Sequence, residues 1–523
     1  MKTKYFVLSF LTAVLALSSC DSLLDIPRKS VIDYDTFYKT DDEIQSAGIT
    51  MYSDVRGWYY NVMLVKNILS DDYFSGGAAR GDNAQMDALG DFAFNAESEQ
   101  VEGSFKGYYG LIYHANVIIG HINAEQSDMA AQAVAEAHLF RAWAYFELIT
   151  LWGNPPIVDH ELAPSEYKQA NGTTEDLWKL VEDDLLYAIN SNALAQKNGV
   201  GDQTCWRATK QFAQALLGKS YIWMAWALSD NSYYQKAADQ LNAVVDSKLY
   251  DLFTEGAYGD QRNPEYKMNC EDLFESIRVN DLDNQGDNFD FYGAMVSWRA
   301  SSGEMTIPEN VAGAGWGFMV PTEELLAAFE SWEGKDSYRR TQTLKTYEEL
   351  KAMGVQWNMP TLSTGIYNWK GRFLTEELSW YGMINTKNPL WMRFAEVLLL
   401  GAEANLQAGN MNKAAEYVNR VRARAQLPAL NGVTLNDIKM EKRLELCGEG
   451  VRFQDILRWG EAYDLLKETG KVYPLMQANG SVEYVTTGRS EGTYGFKKDK
   501  HERLPYPYTE TMLNENCKQN PNY

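Results

Sequence analysis

"RFAEVLLLGAEANLQAGNMNKAAEYVNRVRARAQL", residues 393–427, reads as two helices folded back on each other. Ala395, Leu398, Leu399, Ala402 and Leu406 fall at i, i+3, i+4, i+7 and i+11, which draws one apolar stripe along a helix. Gly409-Asn410 breaks that helix, and Ala414, Val418 and Val421 line its return. Ala402 and Ala414 stand where tetratricopeptide repeats place the small residues of two touching antiparallel helices.

Working outward, residues 210–252, "KQFAQALLGKSYIWMAWALSDNSYYQKAADQLNAVVDSKLYDL", repeat the design with Ala215, Gly218, Ala237 and Ala238 as small contacts. Residues 130–158, "AAQAVAEAHLFRAWAYFELITLWGNPPIV", predict a long helix that stops at Gly153-Asn154-Pro155-Pro156, because proline lacks the N–H that a helix needs. Helical spacing appears again in 36–55 and 107–122, on either side of "LSDDYFSGGAARGDNAQMDALGDF", residues 69–92. A polar loop of that length inside a compact domain is often functional. Trp143, Trp223 and Trp226 lie inside predicted helices and are assigned to packing. The fold class predicted is mostly α: a helical scaffold over about 30–250 and 388–470, a loop-rich insertion over about 250–387, and a carboxy-terminal segment over 471–523.

The 523 residues are 45% hydrophobic, enough for a large core, and carry a net charge of −23. So acidic a surface argues against nucleic acid and anionic lipid headgroups as partners. The aromatic share is 13%, with 32 Tyr and 15 Trp, more than the core needs, so some rings are expected to face a ligand. No HExxH, GxSxG, Walker loop or GxGxxG occurs, and an enzyme is not expected. In "NDLDNQGDN", residues 280–288, Asp281, Asp283, Gln285 and Gly286 match the start of a calcium loop, but Tyr292 stands where the bidentate Glu belongs. Asp281 and Asp283 are therefore weak calcium candidates; no other cofactor is expected. Cys205, Cys270, Cys447 and Cys517 lack CxxC spacing and read as buried thiols, or at most one or two bridges.

A pyranose offers an apolar C–H face and a rim of hydroxyls, so a sugar site pairs flat rings with Asn, Gln, Asp or Arg. Trp298-Arg299 with Asn284, Gln285 and Asn288 nearby answers that description, as do Tyr73, Phe74, Asp82, Asn83, Trp316 and Trp369 in their loops. If Trp298 is a platform, its loss should weaken binding and leave the melting temperature almost unchanged. Residues 440–466, "MEKRLELCGEGVRFQDILRWGEAYDLL", carry Glu441, Arg443, Glu445, Glu449, Arg452, Asp455 and Arg458 at helical spacings. They predict a partly buried ion network joining two helices, with Gly448 and Gly450 at the turn.

At the amino terminus Lys2 and Lys4 precede an apolar run too short to span a bilayer, the pattern of a signal peptide. Leu17-Ser18-Ser19-Cys20 resembles a bacterial lipobox, which makes residues 1–19 a lipoprotein signal and Cys20 the lipidated first residue of the mature chain. Cleavage removes two lysines and no acid, so the charge moves from −23 to −25. Acyl chains at about 0.8 kcal/mol per buried CH2 would anchor the protein to a membrane without crossing it.

"CDSLLDIPRKS" (20–30), "AEAHLFRAWAYFELITLWGNPPIV" (135–158), "WMRFAEVLLLGAEANLQAG" (391–409), "NRVRARAQL" (419–427), "EKRLELCGEGVRFQDILRWG" (441–460) and "LPYPYTETMLNENCKQNPNY" (504–523) together resemble the SusD/RagB family of outer-membrane nutrient-binding lipoproteins. Tyr506 replaces the usual aliphatic residue between prolines, and Asn522 a usual glycine, a swap that a left-handed backbone position tolerates. The resemblance implies a SusD-like fold of four irregular tetratricopeptide-like helix pairs, displayed on the outer face of the outer membrane. It implies a SusC-like TonB-dependent β-barrel transporter as partner, facing the repeat helices. It also implies an oligosaccharide ligand held by loops around 60–110 and 270–385, with oligopeptides, as in RagB-like members, the alternative.

Overall fold

The computed structural model describes residues 37–283 and 285–523. Cys20 and Asn284 lie outside the described residues, as does the side chain of Gln285.

Eight helices form the scaffold in four successive pairs: α1 (Asp41–Ile68) with α2 (Glu99–His121), α3 (Asp128–Trp152) with α4 (Thr174–Asn190), α5 (Lys210–Ala227) with α6 (Tyr233–Asp246), and α7 (Phe394–Gln407) with α8 (Met411–Arg424). Each packs on the next from α1 to α8, and α7 rests on α6 although the whole insertion separates them in sequence. The fold is mostly α, as the periodicity predicts. α1 opens on a capping box: the Thr40 hydroxyl accepts from the Glu43 amide, and the Glu43 carboxylate accepts from the Thr40 amide at 3.0 Å. α3 is buried on nearly every face, which explains its alanines, and ends at Trp152 before Gly153 and Pro155. The small residue expected at the α5–α6 contact is required: a Cβ on Gly218 would lie 2.5 Å from Leu241 Cγ. At the chain's end Asn522 adopts φ +66°, the left-handed position its place in the sequence suggests.

The insertion between α6 and α7 is tied at both ends. Strand β2 (Asp272–Glu275), from its first part, pairs antiparallel with β6 (Leu390–Arg393), which runs directly into α7. Between them the chain forms short two-stranded ladders and short helices around cores of their own. Trp298, Met305, Leu350, Trp357, Tyr367 and Trp369 make one such cluster, and Tyr73, Leu325, Phe329, Ile366 and Leu444 belong to another. Cys205, Cys270, Cys447 and Cys517 are free thiols. No helix among the described residues is long and apolar enough to cross a membrane.

Charges join the two parts. Arg393, fully buried at the start of α7, donates to Glu271 (2.6 Å), to Glu445 (2.6 Å) and through two nitrogens to Glu449 (2.7 and 2.8 Å). Arg339, equally buried, reaches Glu333 (2.7 Å), Glu441 (2.8 Å) and Glu445 (3.1 Å), while Arg424 pairs with Glu271 and Glu445 and Arg422 with Glu441. The expected network thus exists, and it reaches beyond two helices: Glu271, Glu333 and Arg339 belong to the insertion, and the other members to α7, α8 and α9 (Leu435–Glu445) with the turn after it. Burial opposes the Glu449 carboxylate, but Arg393 and Lys370 outweigh it and hold the pKa at about 2.

Because Glu449 is depressed in the fold from an ordinary value of 4.5, its contribution is complete above that value and is lost as pH falls towards about 2. Chemical denaturation should therefore show stability draining away over that acid window. Arg393→Met should cost about 3–5 kcal/mol at neutral pH by stranding buried carboxylates, and its acid limb should be shallower than that of the parent.

Candidate functional site

Tyr60 sits on the side of α1 that looks towards the insertion, and beyond it lies an open cleft of about 520 Å³. Its other walls come from Asp82 and Asn83, from the segment Phe291–Ser302, and from Trp316 and Phe318. The order of assembly starts at the end of α1. Asp71 accepts from Arg452 Nε and Asp72 from Arg443 Nε, both at 2.8 Å, which pins the chain where β1 (Tyr73–Gly76) begins. β1 pairs antiparallel with β5 (Phe318–Pro321), and the Gly77 amide donates to the Gly317 carbonyl at 2.9 Å. The two turns meet so closely that only glycine fits: a Cβ on Gly76 would lie 2.3 Å from the Gly317 oxygen, and one on Gly317 2.5 Å from Arg299 Cβ, both at positive φ.

That junction sets the polar rim. Asp82 Oδ2 accepts from the Ala78 amide at 2.9 Å and lies 3.8 Å from Arg299 Nη1. Arg299 Nε donates to Glu304 Oε1 at 2.8 Å and Nη1 to the Trp316 carbonyl, so its guanidinium is held in place. Asn83 caps the short helix Ala84–Gly90 through the Met86 amide. Ser301 and Ser302 complete the rim.

Tyr60, Phe291, Trp316 and Phe318 supply the rings of the cleft, and Phe289 and Trp380 continue the run beyond its lining. Tyr60 lies 5.8 Å from Phe291, Phe291 6.4 Å from Trp316 and 5.3 Å from Phe289, and Phe289 5.7 Å from Trp380. Phe291, Phe289 and Trp380 are 38%, 41% and 52% exposed, an apolar outlay that a buried core does not explain. Trp380 also adopts φ +44°, a costly conformation for a bulky residue that holds its ring out into solvent. Flat faces beside carboxylate, guanidinium, amide and hydroxyl groups suit a ligand that is apolar on its faces and polar at its edges. No group of three His, Cys, Asp or Glu among the described residues is arranged to hold a metal, and Asp281 instead accepts from the Asp283 amide.

Two family models cover most of the chain: the SusD family over residues 337–523, and a family described as starch-binding and associating with the outer membrane over residues 29–222. The chain belongs to the SusD/RagB family. It is 25% identical to a SusD-like protein of Bacteroides ovatus, over 88% of this chain and 83% of the relative. Its fold matches a laminarin-binding SusD-like protein with a TM-score of 0.76 at 24% identity, covering 93% of this chain and all of that one. It also matches surface glycan-binding protein A of Bacteroides thetaiotaomicron in complex with laminarihexaose, with a TM-score of 0.71 at 22% identity, over 92% and 99% of the two chains.

On this SusD-like frame, Asp82, Asn83, Arg299 and Trp316 come together in the cleft from three separate segments. Other residues picked from the sequence do not. Trp298 is 5% exposed, donates its indole N–H to the Asn368 carbonyl and packs on Tyr367 and Trp369, so it is a core ring and the platform reading is corrected. Trp369 is buried beneath the guanidinium of Arg372, 3.6 Å away. Tyr73 is buried and donates to Asn368 Oδ1; Phe74 lies half-buried in β1, opposite Val320; Asn288 is fully buried with its amide on the Val279 and Asp281 carbonyls. Trp226, assigned to packing, is 47% exposed at the end of α5. Tyr60, Phe289 and Phe291 escaped the sequence reading. Their signal is the alternation in Phe289-Asp290-Phe291-Tyr292, which turns both phenylalanines outward and the other two residues inward.

The contrast between the two kinds of ring is measurable. Trp298→Ala should cost about 3–5 kcal/mol in denaturant titrations, whereas Phe291→Ala should stay within about 0.5 kcal/mol of the parent.

Proposed function

We propose that this SusD/RagB protein is a non-catalytic cell-surface lipoprotein that captures oligosaccharides in the cleft and delivers them to a SusC-like TonB-dependent transporter. The observation that carries the reading is the run of rings Tyr60, Trp316, Phe291, Phe289 and Trp380 beside Asp82, Asn83 and Arg299. Exposed ring faces can stack on the C–H face of a sugar while the polar rim meets its hydroxyls. Relatives whose names record laminarin and laminarihexaose binding support the same class of ligand.

Binding without turnover follows from what the cleft contains. Its acid, Asp82, is tied to a backbone amide and to Arg299, and the neighbouring Glu304 is committed to Arg299 and to the Ser302 amide. Both carboxylates are thus occupied by partners within the protein. Lipidation at Cys20 would hold the cleft at the outer face of the outer membrane, with the helix pairs turned to the transporter.

A glycan microarray followed by affinity electrophoresis tests the ligand class. Trp316→Ala should weaken binding of the retained glycan at least about tenfold, the loss expected when one stacking contact of about 1.4 kcal/mol disappears. Retention of oligopeptides and no glycan would transfer the role to peptides, and hydrolysis of a bound glycan would refute the non-catalytic reading. For the anchor, mass analysis should find acyl chains on Cys20, and Cys20→Ala should move the protein from the membrane fraction to the soluble one.

A further inference from the structure

Segment 289–299 is a partition. Phe291, Met295 and Arg299 face the cleft, while Asp290, Tyr292, Val296 and Trp298 line an inner cavity of about 100 Å³. Tyr60 and Tyr59 divide in the same way across α1. The cavity's cations come from separate stretches of the insertion: Arg262, Lys370, Arg372 and Lys387. Its two acids are already engaged, Asp290 by Arg278 and Glu449 by Arg393 and Lys370.

Arg372 donates through Nε to the Val311 carbonyl at 2.9 Å and Lys387 to the Arg372 carbonyl at 2.6 Å, but the carboxylates that face Arg262, Arg372 and Lys387 are distant ones. Arg262 meets Asp272 through one nitrogen at 3.2 Å, and its buried Nη2 has no hydrogen-bond partner. Arg372 reaches Asp260 at 3.2 Å, and Lys387 lies 3.4 Å from Glu377. Charge-assisted bonds are ordinarily about 2.7–2.9 Å, and Arg393 in this same protein meets its carboxylates at 2.6–2.8 Å. Burial above all, reinforced by repulsion from Arg372 and Arg262, pulls Lys387 down to about 8. The Thr343 hydroxyl, also in the lining, is buried with no partner.

We infer that this cavity is an oxyanion site, in which Arg262, Arg372 and Lys387 receive a carboxylate or sulfate group, free or carried on a sugar residue. An oxyanion would supply the acceptor that Arg262 lacks and relieve the repulsion among three cations held in a poorly solvated space. The sugar-borne form rests on the glycan reading above; the anion site itself does not.

Calorimetry on the mature chain would compare sodium sulfate with sodium chloride at equal ionic strength, and glucuronate with glucose. Sulfate or glucuronate should bind where chloride and glucose do not. Binding of sulfate alone assigns the site to a free inorganic anion, and binding of glucuronate assigns it to an acidic sugar. Lys387→Gln should weaken the binding at least about tenfold. Glu377→Gln, which frees Lys387 of its carboxylate, should tighten it, a gain that a folding defect cannot imitate. The inference is overturned if neither anion outbinds its control, if Lys387→Gln binds like the parent, or if Glu377→Gln binds no more tightly. Trp316→Ala should leave anion binding unchanged, so a failure here is separable from a failure of the cleft.

Discussion

The guanidinium of Arg393 is the point at which three otherwise separate parts of the molecule are held at fixed distance. It begins α7, the last helix pair of the scaffold; it meets Glu271 from the first strand of the insertion; and it meets Glu445 and Glu449 at the turn after α9. The insertion has apolar clusters of its own beside the main core, into which it sends Leu273, Phe274, Met295 and Phe318. Apolar contact is non-directional and tolerates sliding, whereas a bidentate pair inside the protein fixes both distance and angle. Such burial is a poor source of net stability because desolvation offsets much of the attraction. What it supplies here is a directional constraint added to the packing of Phe274 on Phe140, Trp143 and Phe212.

A second set of charges carries that constraint to the cleft. Arg443, on α9, and Arg452, opening α10 (Arg452–Arg458), hold Asp72 and Asp71 at the end of α1. The next residues form β1, β1 pairs with β5, and the glycine junction at 76 and 317 brings Arg299 beside Asp82. The acidic residues around Gly76-Gly77, which by composition alone resemble ion ligands, are thus divided between two tasks. Asp71 and Asp72 are structural and buried, while Asp82 is exposed at the rim.

The scaffold was legible because a helix repeats its environment every few residues. Ala395, Leu398, Leu399 and Ala402 form a stripe that the sequence displays directly, and Gly218 announces a close contact by being small where its neighbours are large. The loops offer no such repetition. Residue type and polar neighbours made Trp298 and Arg299 look like a pair, and they are adjacent, but consecutive residues of an extended segment point to opposite sides. Arg299 reaches the cleft, and Trp298 turns into the small core that the insertion builds beside the main one. Phe291 and Tyr292 are divided differently, at the start of the short helix Tyr292–Val296, where Phe291 and Met295 share one face and Tyr292 and Val296 the other. A list of aromatic loop residues therefore holds both exposed and core rings, and only the parity of a short extended stretch, or the face of a short helix, tells them apart.

That division also gives the partition two electrostatic characters. The chain carries −23, and at a screening length of about 8 Å in physiological salt the exterior presents a broadly repulsive field to an anion. An open rim with one acid and one fixed arginine does little to change that. Behind the partition, Arg262, Arg372 and Lys387 act over contact distance in a less polar medium, where each charge is felt more strongly than at the surface. Field and cavity then oppose each other as a function of distance. On the proposal above, a dense polyanion would meet the exterior field before contact, whereas a small oxyanion would meet cations that outweigh that field only once inside the cavity.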